Sequence, residues 1–374
     1  MSGFVFPFLP SPGKRRRSDE NDTRSLPPGA AFAPAATALA FLLVAAAGTV
    51  LAAATIPKDV SYLLGMYYGS GSAFLVRENG GKLELVYHFS DTDRDFSGGN
   101  TFPLIKVHFD SYTLTEAGPL LRAEAPVKFD RDANGYGVLC RVGGKSFNRL
   151  FFPGQNGKTF FVDAPADADD LRTAAEQAEE PARLRQGTAS ALVDLQKAVP
   201  SLHLDLRYAT DRNLFRRPLH QNGDKAYAAP EVAAALQDAA ARLAPQGYGL
   251  VVYEAYRPWY LSKYAYDLLP ADRKGMLPPP KQGEDRNTGW TVDVGLYDLG
   301  SGEALPMISD FDEVSLRQYP AYPGGTTEER RLRDLLADAM RRAGFHQGDQ
   351  EWWHFVLGEG NGAAHLNIPY GKLP

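Results

Sequence analysis

Glu351-Trp352-Trp353-His354 constrains this chain more than any other stretch, because a carboxylate and an imidazole stand three positions apart around two bulky indoles. The indoles suit packing walls, and whatever they pack against must also accommodate the two polar groups. A neutral imidazole is the commonest protein ligand for zinc, and a carboxylate that does not bind the metal can take a proton from metal-bound water. The four residues therefore read either as a histidine buried in an aromatic core or as one edge of a metal centre. The rest of the chain has to choose between them.

At 374 residues the chain exceeds what one core usually fills, which predicts two folded units plus extensions. Its 44% hydrophobic and 23% charged residues are those of an ordinary globular protein. A net charge of -5 gives no reason to expect a nucleic acid as partner. Seven histidines are too few for a histidine-rich metal store, and the lone Cys140 excludes both an internal disulfide and a thiolate zinc cluster.

Lys14-Arg15-Arg16-Arg17 precede an uncharged stretch from Ser25 to Pro57 with an apolar heart at residues 35–54. Basic residues stay on the cytoplasmic side, and Leu51-Ala52-Ala53-Ala54 offers small residues to a signal peptidase. The same apolar run is long enough to be retained as an anchor. Residues 1–57 are thus expected to be a signal peptide or a membrane anchor. On either reading the protein is exported, to the periplasm or to the outer face of the cytoplasmic membrane.

Residues 58–163 read as short strands between turn signals, among them Ser72–Val76, Lys82–Tyr87, Val127–Phe129, Gly137–Cys140 and Thr159–Val162. Asn79-Gly80-Gly81 and Asn134-Gly135 suit tight hairpins. The expectation is a small antiparallel sheet or partial barrel, able to contact a cell-wall component. Asp130 to Gly135 opens like a calcium loop, but Arg141 stands where the closing glutamate belongs, so a hairpin turn is expected. Residues 164–188, rich in Ala, Asp, Glu and Arg with little apolar periodicity, read as a charged linker with room for partial helix.

Residues 189–374 alternate helix and strand irregularly, which makes α+β the expected class. Pro230 starts a helix with Val232, Leu236, Ala239, Ala240 and Leu243 along one face, and Leu250–Tyr253 come next as a strand. Thr326 to Glu329 form a capping box before a second stripe at Leu332, Leu335, Leu336, Ala339 and Met340.

Five blocks in this half, taken in order, resemble the D-alanyl-D-alanine dipeptidase family of M15 zinc peptidases. They are Asp205-Leu206-Arg207-Tyr208-Ala209-Thr210 running on to Arg217-Pro218-Leu219, then Ala255-Tyr256-Arg257-Pro258, then Val292 to Asp298 with Asp310-Phe311-Asp312 after it, then Ala343-Gly344-Phe345, and last Glu351 to Phe355. The resemblance implies that Asp293 and His354 ligate one Zn2+ per chain, that Glu351 is the general base and acid, and that Arg257 steadies the oxyanion. The implied reaction is hydrolysis of D-alanyl-D-alanine or a similar cell-wall dipeptide. The residues themselves agree: in an alternating strand Asp293 faces away from Val292, Val294 and Leu296.

One position departs from the family. Its third ligand, a histidine seven residues before the aspartate, is Arg286 in this chain. Arginine is always charged and cannot ligate zinc, so pointing inward it would repel the ion or pair with Asp293 or Glu351. Asp285 or Glu284 could serve as a substitute ligand, or a loop shift could bring in His220, His346 or His365. The alternative is a catalytically impaired relative that binds a dipeptide or the cell wall, or a peptidase acting on longer peptidoglycan peptides.

Overall fold

A computed structural model describes residues 56–69, 71–89, 99–116, 122–188, 190–221, 225–358 and 362–374. The apolar run at 35–54 lies outside them. Among the described residues no helix is long and apolar enough to cross a membrane.

A four-residue helix, α1 (Lys58–Ser61), leads into eight strands: β1 (Gly65–Gly69), β2 (Ser72–Asn79), β3 (Lys82–Phe89), β4 (Asn100–His108), β5 (Ser111–Leu114), β6 (Pro126–Arg131), β7 (Gly137–Val142) and β8 (Lys145–Leu150). Each pairs with the next, and β1 pairs antiparallel with β8, so the barrel is closed rather than partial. Closure removes both edges of the sheet. Gly69 helps β1 to reach β8, since a Cβ there would stand 2.3 Å from the Ser146 carbonyl oxygen. The interior is filled by Tyr67, Phe74, Phe102, Phe129 and Phe147 among aliphatic side chains and Cys140.

The glycine turns at Gly80-Gly81 and Gly135 fall where expected, as do β2, β3, β6 and β7. Thr159–Val162 forms no strand. The barrel is not insulated from the C-terminal half of the chain. Met66, Ala73, Leu75 and Val86 pack into the same core as that half.

The charged segment 164–188 is partly helical, as the sequence allows. It carries helix α2 (Ala168–Gln177), whose small buried residues Ala168 and Ala175 lie flat on α5 (Trp259–Leu268). Alanine is a weak apolar marker, and the Asp, Glu and Arg around it dominate the composition, which is why the segment reads as polar.

The second half is built on a five-stranded sheet in the order β10 (His203–Leu204), β12 (Tyr248–Glu254), β13 (Thr291–Asp298), β15 (His354–Leu357) and β14 (Phe345–Gln347). Only the β10–β12 pair is parallel. The short elements β9 (Val193–Asp194), α3 (Leu195–Ala198) and β11 (Tyr227–Ala228) lead up to helix α4 (Pro230–Leu243). α4 and α6 (Thr327–Arg342) supply the apolar stripes that meet Val292, Val294 and Leu296 on one face of the sheet. The α+β class and the capping box of Thr326 with Glu329 are as the sequence predicts.

The barrel contributes a further cap that no local pattern reveals. The Thr327 N–H donates to Glu78 Oε2 at 2.7 Å, and Arg330 donates to the Glu78 carbonyl at 2.8 Å. A carboxylate at the start of α6 satisfies an orphan amide and complements the helix dipole.

Candidate functional site

Three adjacent strands bring three side chains into a row. Asp293 on β13 pairs in register with His354 on β15 and, on its other side, with Glu254 on β12. Strict alternation would place Glu254 on the opposite face, but a bulge between Val252 and Glu254 adds one residue, Tyr253, and turns the carboxylate towards Asp293. Below that row Val292, Val294 and Leu296 are wholly buried, so the sheet holds the site rigidly.

A short helical turn, Asp285–Thr288, carries the next group of side chains. Glu284 and Asn287 close a capping box around it. Gly289 then swings the chain into β13 at φ 78°, and a Cβ there would meet Leu192 at 2.4 Å. This turn points Arg286 at the strand row. Trp352 and Trp353, each 1% exposed, wall the site from behind, and the Trp352 indole donates to Ser309 Oγ at 2.8 Å.

Arg286 stands at the centre. Its Nε donates to Asp293 Oδ2 at 2.9 Å, while one terminal nitrogen donates to Asp293 Oδ1 at 3.2 Å and to Glu351 Oε2 at 2.9 Å. Glu254 lies 3.5 Å away and Glu284 3.9 Å away. Burial opposes the charge on Arg286, but Asp293, Glu351, Glu284 and Glu254 together hold its pKa well above the ordinary value. Asp293 shows the converse: burial pushes its carboxyl up, Arg286 and His354 pull it down, and the net shift is downward.

Arg257 is equally engaged. Its Nε donates to Glu254 Oε1 at 2.6 Å, one terminal nitrogen pairs with Glu254 Oε2, and the other donates to Glu284 Oε1 at 3.1 Å. The guanidinium lies 4.6 Å over the Tyr208 ring. All three of its nitrogens already hold carboxylate oxygens.

His354 has both ring nitrogens occupied, Nδ1 by Asp293 Oδ1 at 2.8 Å and Nε2 by Asp285 Oδ2 at 3.0 Å. Burial and the Arg286 charge press its pKa down, yet the two carboxylates outweigh them and lift it to about 10. A carboxylate at each nitrogen favours the protonated ring, which can donate to both. Asp285 is shifted in the opposite sense: burial raises its pKa, and the hydrogen bond and charge of His354 depress it well below the usual range.

Every site residue expected from the sequence, Glu351, Arg257, Asp293, His354, Asp285 and Glu284, converges here. Their arrangement does not fit a zinc ion. Zinc needs three lone-pair donors and an open position, whereas Arg286 offers no lone pair, both ring nitrogens of His354 are held by carboxylates, and Asp293 and Glu351 are both bound by Arg286. Among the described residues no group of three or more His, Cys, Asp or Glu is placed to hold a metal ion.

The substitute ligands do not repair this. Asp285 binds His354, and Glu284 is held by Arg257 and Ser262. His220 stacks near Tyr370 at 4.8 Å, its pKa lowered to about 3 by burial, Arg257 and Arg172. His346 lies on the sheet's outer strand β14, beside Asp338 and Arg341 of α6, and His365 lies against Gly283.

Three further residues enter the site: Glu254, which no motif marked, and Asp312 and Tyr208, which the family blocks contain without assigning them a role. Glu254 directly precedes the Ala255-Tyr256-Arg257-Pro258 block, and its place in an apolar strand is the signal that could have exposed it. Asp312, in a left-handed conformation at φ 60°, has its carboxyl raised to about 7 by burial, against a hydrogen bond with Tyr208 and with added repulsion from Glu351 and Glu254. Tyr208, fully enclosed, links that carboxyl to Arg257.

A family model described as D-ala-D-ala dipeptidase matches residues 188–370. The D-alanyl-D-alanine dipeptidase of Enterococcus faecium is 31% identical over 183 residues, covering 44% of this chain and 89% of that protein. The enzyme of the same name from Escherichia coli strain K12 is 29% identical over 166 residues, covering 44% of this chain and 84% of that protein. That of Enterococcus faecalis is 28% identical over 184 residues, covering 44% and 89%.

Proposed function

The chain belongs to the D-alanyl-D-alanine dipeptidase family of peptidases, and from that premise we propose that it is a dipeptide-recognising member in which the Arg286 guanidinium stands in for the family's zinc. The observation that carries this reading is the bridge from Arg286 to Asp293 and Glu351. A guanidinium neutralises the carboxylates a metal would otherwise meet, and its N–H groups suit a peptide carbonyl or carboxylate. It cannot acidify a bound water as a metal does. The ligand class is a short D-amino-acid dipeptide, with cell-wall fragments outside the cytoplasmic membrane as its source.

A second reading, zinc-dependent hydrolysis of D-alanyl-D-alanine with Glu351 as base, is favoured by one observation. Glu351, at 32% side-chain exposure, is the site carboxylate nearest to solvent after Asp285, and it needs only the release of Arg286 to be available. Asp285 would also have to release His354.

Metal content, dipeptide binding and turnover of the full chain separate the two. The expected result is wild-type protein without stoichiometric zinc that binds D-alanyl-D-alanine and does not cleave it, with Arg286→His gaining about one zinc per chain. Stoichiometric zinc in the wild type, with hydrolysis abolished by Glu351→Ala, would overturn the proposal and establish the second reading.

A further inference from the structure

Strand β4 points Phe102 and Leu104 into the barrel, but beyond Leu104 the β4–β5 hairpin runs past the rim. Three large apolar side chains stand in water there: Ile105 is 54% exposed, Val107 67% and Phe109 77%. Single exposed apolar residues are ordinary, whereas three within five positions at one hairpin end form a patch. Phe109 is also the turn residue with φ 36°, a left-handed position usually given to glycine or asparagine. An aromatic side chain held outward at such a position serves no packing need of the barrel.

The base of this hairpin is stapled to the start of the described chain. Arg131 pairs with Asp110, the residue after Phe109, at 2.6 Å and donates to the Asp59 carbonyl at 2.7 Å. Lys106 lies 4.0 Å from the Asp59 carboxylate. Asp59 follows the apolar run at 35–54 by five residues, a reach of at most about 18 Å. The base of the hairpin is thus joined to the apolar run by only five residues of chain.

The charges around the patch match such a surface. Lys58, Lys106 and Lys128 are exposed nearby, while the acidic Asp110 and Asp130 are paired with Arg131 and Arg141. Aromatic and aliphatic side chains flanked by lysines suit the headgroup layer of an anionic membrane.

We propose that the β4–β5 hairpin tip is a membrane-contacting surface, which lays Ile105, Val107 and Phe109 into the headgroup region of the bilayer entered by residues 35–54. The inference is independent of what the distant charged cleft binds. It gives the barrel a task, fixing how the chain stands on the membrane.

The test uses the full chain reconstituted into vesicles of phosphatidylethanolamine and phosphatidylglycerol, with a fluorophore at Val107→Cys and, separately, at the exposed control Leu299→Cys. Cys140 is wholly buried and does not compete for label. Quenching by doxyl-labelled lipid is expected to be several-fold stronger at 107 than at 299, and to fall to the control level when Ile105→Asp and Phe109→Asp are added. Equal quenching at the two positions would overturn the proposal. So would a shielded probe at 107 whose protection tracks protein density in the vesicle rather than lipid, which would assign the patch to a second copy of the chain.

Discussion

Two arginines, Arg149 in the barrel and Arg286 in the C-terminal half, are held in opposite ways. Arg149, 5% exposed in the barrel, donates to the backbone carbonyls of Tyr62, Leu64 and Gly137 and lies 4.9 Å from the Phe151 ring. Its partners are neutral, so burial prevails and its pKa is lowered. Arg286 has four carboxylates around it, and its pKa is raised. A guanidinium held by carbonyls ties chain segments together. One held by carboxylates occupies a place built for positive charge.

The sharpest way to break that contrast is to remove each cation in turn. Arg286→Met should cost the most, about 3–5 kcal/mol in denaturant unfolding, because it takes the shared cation from buried Asp293 and partly exposed Glu351 and leaves Asp293 with His354 alone as counter-charge. The sign of its pH dependence comes from Asp293. A carboxyl whose pKa is lowered in the fold contributes stability above its unfolded value of 3.8 that is lost as pH falls. The gap between wild type and Arg286→Met should therefore be widest at neutral pH and narrow below 3.8. A gap independent of pH would mean that the guanidinium acts by packing alone.

Arg149→Met should cost less, about 1–3 kcal/mol, since it strands carbonyls rather than charges, and the loss should stay flat over the same pH range. A cost comparable to that of Arg286→Met would erase the distinction. Glu78→Ala, at the junction of the two halves, is the mildest, about 1 kcal/mol for a lost helix cap. It should lower the unfolding midpoint without splitting the transition, because the two halves share one apolar core. Two separate transitions would show that the cap is what couples them.

The legibility of the chain divides along the same line between local and long-range contacts. Periodic apolar stripes announced α4 and α6, and the glycine turns announced two hairpins of the barrel. The closed barrel was not legible, because closure rests on a long-range pairing of β1 with β8 and on a bare backbone at Gly69. Partial helix is expected in 164–188, but the docking of α2 on α5 was not legible, since it joins residues far apart in the chain.

At the site the ordered blocks located Asp293, His354, Glu351 and Arg257, and Arg286 stood out as the misfit. That Arg286 would grip both Asp293 and Glu351 was one of two outcomes that residue chemistry allowed. The sequestration of His354 between two carboxylates was not foreseeable, since it depends on Asp285 and Asp293 approaching the ring from opposite sides.

The extra residue in β12 has a consequence for how this cleft tolerates change. Tyr253 behaves like a frameshift within the strand: everything before it keeps its facing, and the acid after it is switched from the oily side to the charged one. A strand of the same residues paired without that bulge would set Tyr253 opposite Asp293 and keep almost every atom of the sheet. Its glutamate would be buried among valines and leucines, and Arg257 would lose its tightest grip.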